Sequence, residues 1–597
     1  MKRSNDILNI IEKIILTLLI FASSFLPFIV RVYLVTVPDT LRNFWGSFIN
    51  IDFFSFYKMV WLLVMSSILL IVFFIYIFRD KLIKTEYYIP LFIFSVVAVI
   101  SAVLSEYSFV IWYGLPDRHE SLLVLLAYII LVVAAINLVE GRKTNRIVIG
   151  SLFISAAVLG VHGLMQFFGF DFFLTDIGRR LIASEELRAF VNEFHLHHSD
   201  KRAIYSTMYN PNYVGSYGAM LVPLVMGFYL NSKNMKKYLI YGTLSVLLFA
   251  FLVGSQSRAG MVGFMAGVFV LALIMRWRLL ERWRPALIIL VAFAVVLTGM
   301  NVYSVDDVIG EIVSPTTEPD LIEEELERPP LQDIRSGGSR LTIETAASEL
   351  NLSYEDGLLR FRDEEGERIS YSVDRLRGNI YLDDDRYRGH SFLLNPDVSR
   401  IEWTYDGRET VFKYQDGEFY MEGMHGTPYE IEHVSSWGFS GYERLGSGRG
   451  YIWSRSIPML RDTLILGYGP DAYALYFPQE DVVGKRVHIN NARTIVDKPH
   501  NLYLQKAINT GLPSLLALLA LWGYYLIQSV RLYGDADFSR WRPIVGAAIA
   551  AAVAGYLAAG FFNDSVVSVA PVFWTLLGIG IGVNIRYKRS RQRSKPD

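Results

Sequence analysis

The chain of 597 residues contains no cysteine. That excludes disulfides, thiolate metal sites and a cysteine nucleophile, and leaves the redox compartment open. Charge is scarce as well. Asp, Glu, Lys and Arg make up 19% of the residues, against about 25% in an ordinary soluble chain. Long stretches carry no charge while the middle of the chain is crowded with it. The formal net charge of −1 hides this asymmetry and says little about partners, and a nucleic-acid partner is not expected. No cleavable signal peptide stands out. The apolar run from Ile14 to Val30 is followed by more such runs, so it reads as a retained anchor. Solenoid-type repeats are also lacking.

What the chain has in abundance is apolar sequence, 52% of its residues. Crossing about 30 Å of hydrocarbon takes roughly 20 apolar residues. About twelve such runs occur, near residues 10–33, 58–78, 88–105, 121–139, 146–168, 212–230, 238–254, 259–275, 285–303, 501–528, 543–562 and 567–585. The connectors FRDKLIK, EGRKTNR, NSKNMKK and RWRLLERWR and the tail RYKRSRQRSK are basic, and they alternate with connectors poor in Lys and Arg, such as FFNDS. The positive-inside rule places the basic set and both termini in the cytoplasm. An even number of spans agrees with two inside termini.

This pattern leaves three segments outside: WYGLPDRHES around Arg118, a loop from about Gly169 to Asn210, and the region from about Tyr303 to Pro499. The last opens with the acidic, Pro-containing stretch EIVSPTTEPDLIEEELERPP. It continues with alternating polar and apolar residues and Asp-Gly turns, which are hairpin signals. The expected fold is therefore mainly α: a polytopic membrane protein of about 12 transmembrane helices, with a small β-rich extracytoplasmic domain inserted in one large loop. The expected division is an N-terminal bundle of about nine helices over 1–303, an acidic linker over 304–339, the β-rich insertion over 340–435, a catalytic extracytoplasmic loop over 436–500, and C-terminal helices with a basic tail over 501–597.

This topology gathers Arg118, Arg258, Arg449 and His500 on one membrane face. Charges beside hydrocarbon usually serve a partner or a pathway. Guanidinium forks suit phosphate oxygens, and imidazole titrates nearest neutral pH. A lipid-linked diphosphate fits that depth. Each residue also has a plain structural reading: Arg258 snorkelling, Arg118 pairing with Glu120, His500 capping a helix, Arg449 an ordinary loop charge. Gln166 and His162 sit near the outer end of one helix, where they line a donor groove or simply pack. HLHH (His195, His197, His198) and the Asp383–Asp385 run are the two metal-like clusters; a solvated loop and a solvated hairpin tip explain them better, so no metal and no cofactor is expected. Glu323, Glu324 and Glu325 read as linker.

The block HNLYLQKAINTGLPS resembles the His-Asn, spacer, Gly-x-x-small pattern of the bacterial O-antigen ligase and polymerase superfamily. SQSRAG is similar to that family's Ser-Arg turn. NPNYVGSYGAMLVPL, SGRGYIW with LILGYGP, and GLPDRHESLLVLLAY also resemble its blocks, in order around one large external loop. The resemblance does not reach the β-rich insertion. Ser514 stands where the ligase pattern more often has glycine, so ligase and polymerase both stay open. The resemblance implies a metal-independent, inverting glycosyltransferase that uses undecaprenyl-diphosphate glycan as donor. His500 would be the general base, Arg258 and Arg449 the diphosphate clamp. Arg118, Asn210, Asn212, Asn501 and Gln166 would contact substrate. The acceptor would be a lipid, a growing glycan or a protein hydroxyl, the last making it a protein O-oligosaccharyltransferase. Rival readings are a lipid-linked oligosaccharide flippase, which calls for repeats and polar midplane residues, and a sensor with the β-domain as receptor.

Overall fold

The computed structural model describes residues 2–78, 82–138, 142–188, 191, 203–300, 329–355, 357–374, 376–395 and 399–593. The twelve apolar runs fall on helices. In chain order these are α1 (Lys2–Ile20), α2 (Phe56–Phe78), α3 (Tyr88–Val103), α4 (Leu122–Leu138), α5 (Arg142–Phe167), α6 (Pro211–Leu230), α7 (Met235–Gly254), α8 (Arg258–Ile274) and α9 (Trp283–Met300). After the large loop come α12 (Leu502–Thr510), α13 (Leu512–Tyr533), α14 (Trp541–Ala559) and α15 (Ala570–Arg593). Among the described residues, eight helical segments are long and apolar enough to cross a membrane. Three shorter ones, over Tyr88–Val103, Leu122–Asn137 and Arg258–Ile274, are also apolar.

The run at 501–528 is not one helix but two. Gly511, at φ 90°, separates α12 from α13. The segment Ile465–Gly467 packs into the break, so close that a Cβ on Gly511 would lie 2.7 Å from the Ile465 carbonyl. The amide of Leu512 bonds to the carbonyl of Thr463. The short α12 is enclosed by protein, with Gln505, Lys506, Asn509 and Thr510 all buried. Its polar residues therefore face other protein groups rather than lipid.

Helix α6 lies at the centre of the bundle, buried from Tyr213 to Leu230. It is locked to α8 and α14 by small residues. A Cβ on Gly260 would fall 2.6 Å from Gly215 Cα, one on Gly263 2.5 Å from the Gly555 carbonyl, and one on Gly267 2.6 Å from Pro223. Small residues at such crossings let backbones approach closely where no water drives association. The contact fixes these three helices against one another.

The β-rich insertion is an antiparallel meander. Its strands pair in chain order in two sheets. One is four-stranded: β3 (Leu331–Gly337), β4 (Arg340–Thr345), β5 (Glu349–Glu355) and β6 (Leu358–Arg362). The other is seven-stranded and runs from β7 (Tyr371–Val373) to β13 (Pro428–Glu430). A separate hairpin, β1 (Tyr33–Thr36) and β2 (Ile49–Asp52), lies near the N-terminus. Two sequence boundaries need correction. The domain begins at Leu331 rather than Arg340, because β3 pairs with β4 through a turn at Gly338 (φ 59°). The stretch Leu331–Gly337 reads as a linker only because an acidic, Pro-rich run precedes it. That run as far as residue 328, including Glu323–Glu325, lies outside the described residues.

The core also does not close within 340–435. Val482, Val483, Val487 and Ala492, which follow the insertion, belong to it. The first three lie on α11 (Val482–His488). From the same helix Arg486 reaches in, bonding Thr410 Oγ1 at 2.7 Å and the Tyr405 carbonyl at 3.2 Å over the Trp403 ring. Three buried valines contribute up to roughly 4–9 kcal/mol, comparable with the total stability of about 5–15 kcal/mol of a domain. A fragment over 340–435 should therefore melt without a cooperative transition, whereas one over 329–495 should melt cooperatively with a β-type circular dichroism spectrum. Equal melts for the two would mean that α11 is dispensable.

Candidate active site

The site is built around the loop between α14 and α15, residues 560–569. Asp564 sits there with a fully buried side chain, and His500 Nδ1 lies 3.2 Å from its Oδ2. The imidazole keeps 29% of its surface exposed, with Nδ1 as the ring nitrogen that meets the carboxylate. The His500 pair outweighs the burial penalty on Asp564 and holds its carboxyl below the usual carboxylate range, so it stays ionised. His500 itself is at φ 48°, a left-handed conformation uncommon for a non-glycine residue. The residues around it hold it there. Asn501 caps α12 by accepting from the amides of Tyr503 and Leu504, and donates to the Phe561 carbonyl. Leu502 N bonds to the Gly560 carbonyl at 2.7 Å. On the other side, Trp453 Nε1 donates to the Pro499 carbonyl at 2.8 Å and packs on Phe562.

Trp453 belongs to α10 (Leu445–Met459), which also carries Arg449 one turn earlier. Before Arg449 the chain makes a left-handed turn, with Gly446, Ser447 and Gly448 all at positive φ. Arg449 Nη1 bonds to the Gly446 carbonyl at 2.8 Å, and the side chain is half-buried. Arg258 opens α8 and is exposed. Its neighbour Ser257 caps α8 and donates to Asn212 Oδ1 at 3.1 Å. Asn563 Nδ2 in turn donates to the Asn212 carbonyl and to Ser216, and Asp564 follows Asn563. An unbroken polar path therefore runs from the α8 terminus through α6 to the His500–Asp564 pair. Asn210 caps α6, with Pro211 at the first helical position. Both Asn210 and Asn212 stay partly exposed.

Behind this face lies a buried ionic frame. Arg118 is 1% exposed. Its Nη2 is 3.0 Å from Asp471 Oδ1, and its Nη1 donates to the Asp497 carbonyl at 2.8 Å. Its partner is thus Asp471 and not Glu120. Glu120 instead holds Lys506 at 2.7 Å and accepts from Tyr128 and Ser565. Asp471 also accepts from the Leu115 amide at 2.7 Å, so the block GLPDRHESLLVLLAY is bonded to the residue that follows LILGYGP. Burial opposes ionisation of Asp497, but Lys498 and Arg118 outweigh it and hold its carboxyl down at about 2. Asp117 shows the opposite behaviour. Burial and the nearby Asp52 push its carboxyl up to about 7, although its side chain is only partly covered. Relative to an unfolded value of about 3.9, the raised value costs stability as pH rises from about 4 to about 7.

Asp117, His119, Ser206, Tyr209, Gln256, Ser447, Asp471 and His500 are all non-glycine residues at positive φ in the segments that meet here. Such strain persists where surrounding structure enforces it, commonly at functional sites. Gln166 is buried, accepting from the Ser206 amide at 2.8 Å and donating to Asp171. It shapes the loop after α5 rather than facing open space. His162 packs edge-on against Phe173. Asp384 caps a turn and pairs with Arg386, the role of a hairpin tip. His195, His197 and His198 lie outside the described residues. No group of three or more potential metal-ligating side chains occurs among the described residues.

The family model for O-antigen ligases matches residues 243–345 and 417–519. Over these two segments the chain carries the pattern of the O-antigen ligase family. This is a family of glycan-transferring membrane enzymes, and the chain is a multi-pass membrane protein. Arg258, Arg449 and His500 all lie within the matched segments, and the gap between them falls inside the β-rich domain. No curated protein and no solved structure matches it. Asp564, Asp471, Asp497 and Asp117 were not singled out by sequence reasoning. Asp564 was hidden in FFNDS, which reads as a connector poor in Lys and Arg.

Proposed function

We propose that this O-antigen ligase-type protein transfers a pre-assembled glycan from undecaprenyl diphosphate to an acceptor hydroxyl on the outer side of the bacterial inner membrane. The observation that carries the reading is the His500–Asp564 pair. Asp564, 3.2 Å from Nδ1, favours the tautomer that keeps its proton there, which leaves the Nε2 lone pair for the acceptor O–H. The acceptor oxygen attacks the anomeric carbon, its proton passes to Nε2, and the C–O bond to the diphosphate breaks with inversion. The electron pair leaves on the diphosphate. Arg258 and Arg449 meet that growing charge, because fixed donors aimed at charge formed in the transition state lower the barrier. Asn210 and Asn212 are placed to meet sugar hydroxyls. Arg118, Asn501 and Gln166 we assign to positioning, because their polar groups are engaged by protein partners. The twelve helices cross the membrane with both termini inside.

The test is transfer from a labelled polyprenyl-diphosphate glycan to lipid A core, glycan and hydroxyl-peptide acceptors, with anomeric configuration read by NMR. Glycoside formed with inversion alongside free polyprenyl diphosphate is expected. Glycan moved across the bilayer without cleavage from its lipid would overturn the reading. In the same assay EDTA should leave the rate unchanged. Loss of transfer that a divalent ion restores would show that the arginines do not suffice.

A further inference from the structure

Far along α13 and α15 from His500, at the end of the bundle that carries the basic tail, lies a pocket of about 240 Å³. It sits where the chain enters α3, between the last turns of α13 and the basic end of α15. Lys84, Lys588 and Arg589 line it, together with Tyr524, Gln528 and Gln592. Among the described residues none of these three cations has a carboxylate within 4.0 Å. The one lining carboxylate, Glu86, is engaged by the Tyr524 hydroxyl. Cations therefore outnumber anions three to one. Asn584 fixes the pocket's floor, accepting from Tyr533 and donating to Ser529. Glu86 and Tyr87 lead into the 16-residue α3, so the positive end of that helix also points here.

The volume is below the about 300–1,000 Å³ of a site for a drug-sized molecule. It suits a small polar group whose remainder lies outside. What lies outside is apolar: Ile89 and Phe92 on α3 and Ile527 on α13 are exposed beside the pocket. A basic cup opening onto lipid-facing side chains matches the phosphate of an amphiphile in shape and charge. Basic pockets between membrane helices on the cytoplasmic side take anionic headgroups for this reason. We propose that this pocket binds the phosphate headgroup of an anionic bilayer lipid, with its acyl chains along α3 and α13.

The test uses the full-length protein in detergent, with retained lipid read by native mass spectrometry and by thermal melting. The probes are phosphatidylglycerol, phosphatidylcholine and inorganic phosphate. The wild type should retain phosphatidylglycerol in preference to phosphatidylcholine. The double variant Lys588→Gln/Arg589→Gln should lose that preference by on the order of 10- to 30-fold, the scale of two cations near a membrane surface. The control Lys236→Gln/Lys237→Gln removes the same charge from exposed positions outside the pocket and should keep the preference. Unchanged retention in the pocket variant would overturn the site. Equal loss in both variants would reduce it to diffuse attraction. Inorganic phosphate that displaces the lipid and reproduces its thermal shift would overturn the lipid as occupant. None of these readouts depends on glycan transfer.

Discussion

Replacing His500 should lower glycan transfer by on the order of 10²–10⁴-fold, the usual share of a general base, while donor binding persists. The choice of replacement matters. His500 is at φ 48°, and its Nδ1 lies 3.2 Å from a buried carboxylate. His500→Ala strains the backbone and strands Asp564, so lost activity there could reflect lost fold. His500→Asn tolerates the left-handed conformation and can still donate to Asp564, yet cannot take up the proton. It should fold, melt near the wild-type temperature and fail to turn over. Asp564→Asn should lose less than His500→Asn, and the double variant should be no worse than His500→Asn alone, because the two act as a unit. A stable His500→Asn protein that transfers glycan at near the wild-type rate would remove His500 from the chemistry.

The second large effect concerns the arginines. Arg258→Ala and Arg449→Ala should each lower turnover by on the order of 10²–10³-fold, as expected for losing one donor to transition-state charge. Lys should restore each only in part, because it keeps the charge and loses the fork. Since the diphosphate gains charge as it leaves, kcat should fall more than KM rises. Full activity in Arg258→Lys would point to snorkelling. Arg449 offers an independent check, since it follows three left-handed residues. A Cβ on Gly448 would sit 2.4 Å from Ile489. Gly448→Ala should therefore displace Arg449 and lower kcat with the guanidinium still present.

The parts of this architecture visible in the sequence are those governed by local pattern. Apolar length marked the helices, and alternation with Asp-Gly turns marked the strands. His500 stood out because a titratable residue precedes an apolar run. Its partner did not, because Asp564 meets it only through the fold. Arg118 read as a free phosphate ligand because nothing in GLPDRHES reveals that Asp471 is bonded to that connector. Asn501 read as a substrate contact, although an Asn directly before a helix is as much a cap signal. The break at Gly511 was masked by the apolar residues on both sides of it. The start of the β-domain was missed because the pairing of β3 depends on β4 and not on its own composition.

The closure of the β-domain by α11 also bears on how the protein is made. The strands end at Glu430, but the residues that complete their core arrive only by Ala492. At about 5–20 residues per second, the meander waits roughly 3–12 s for its last apolar side chains. During that interval it stands outside the membrane with an open core, a vulnerable nascent state that the later segment ends.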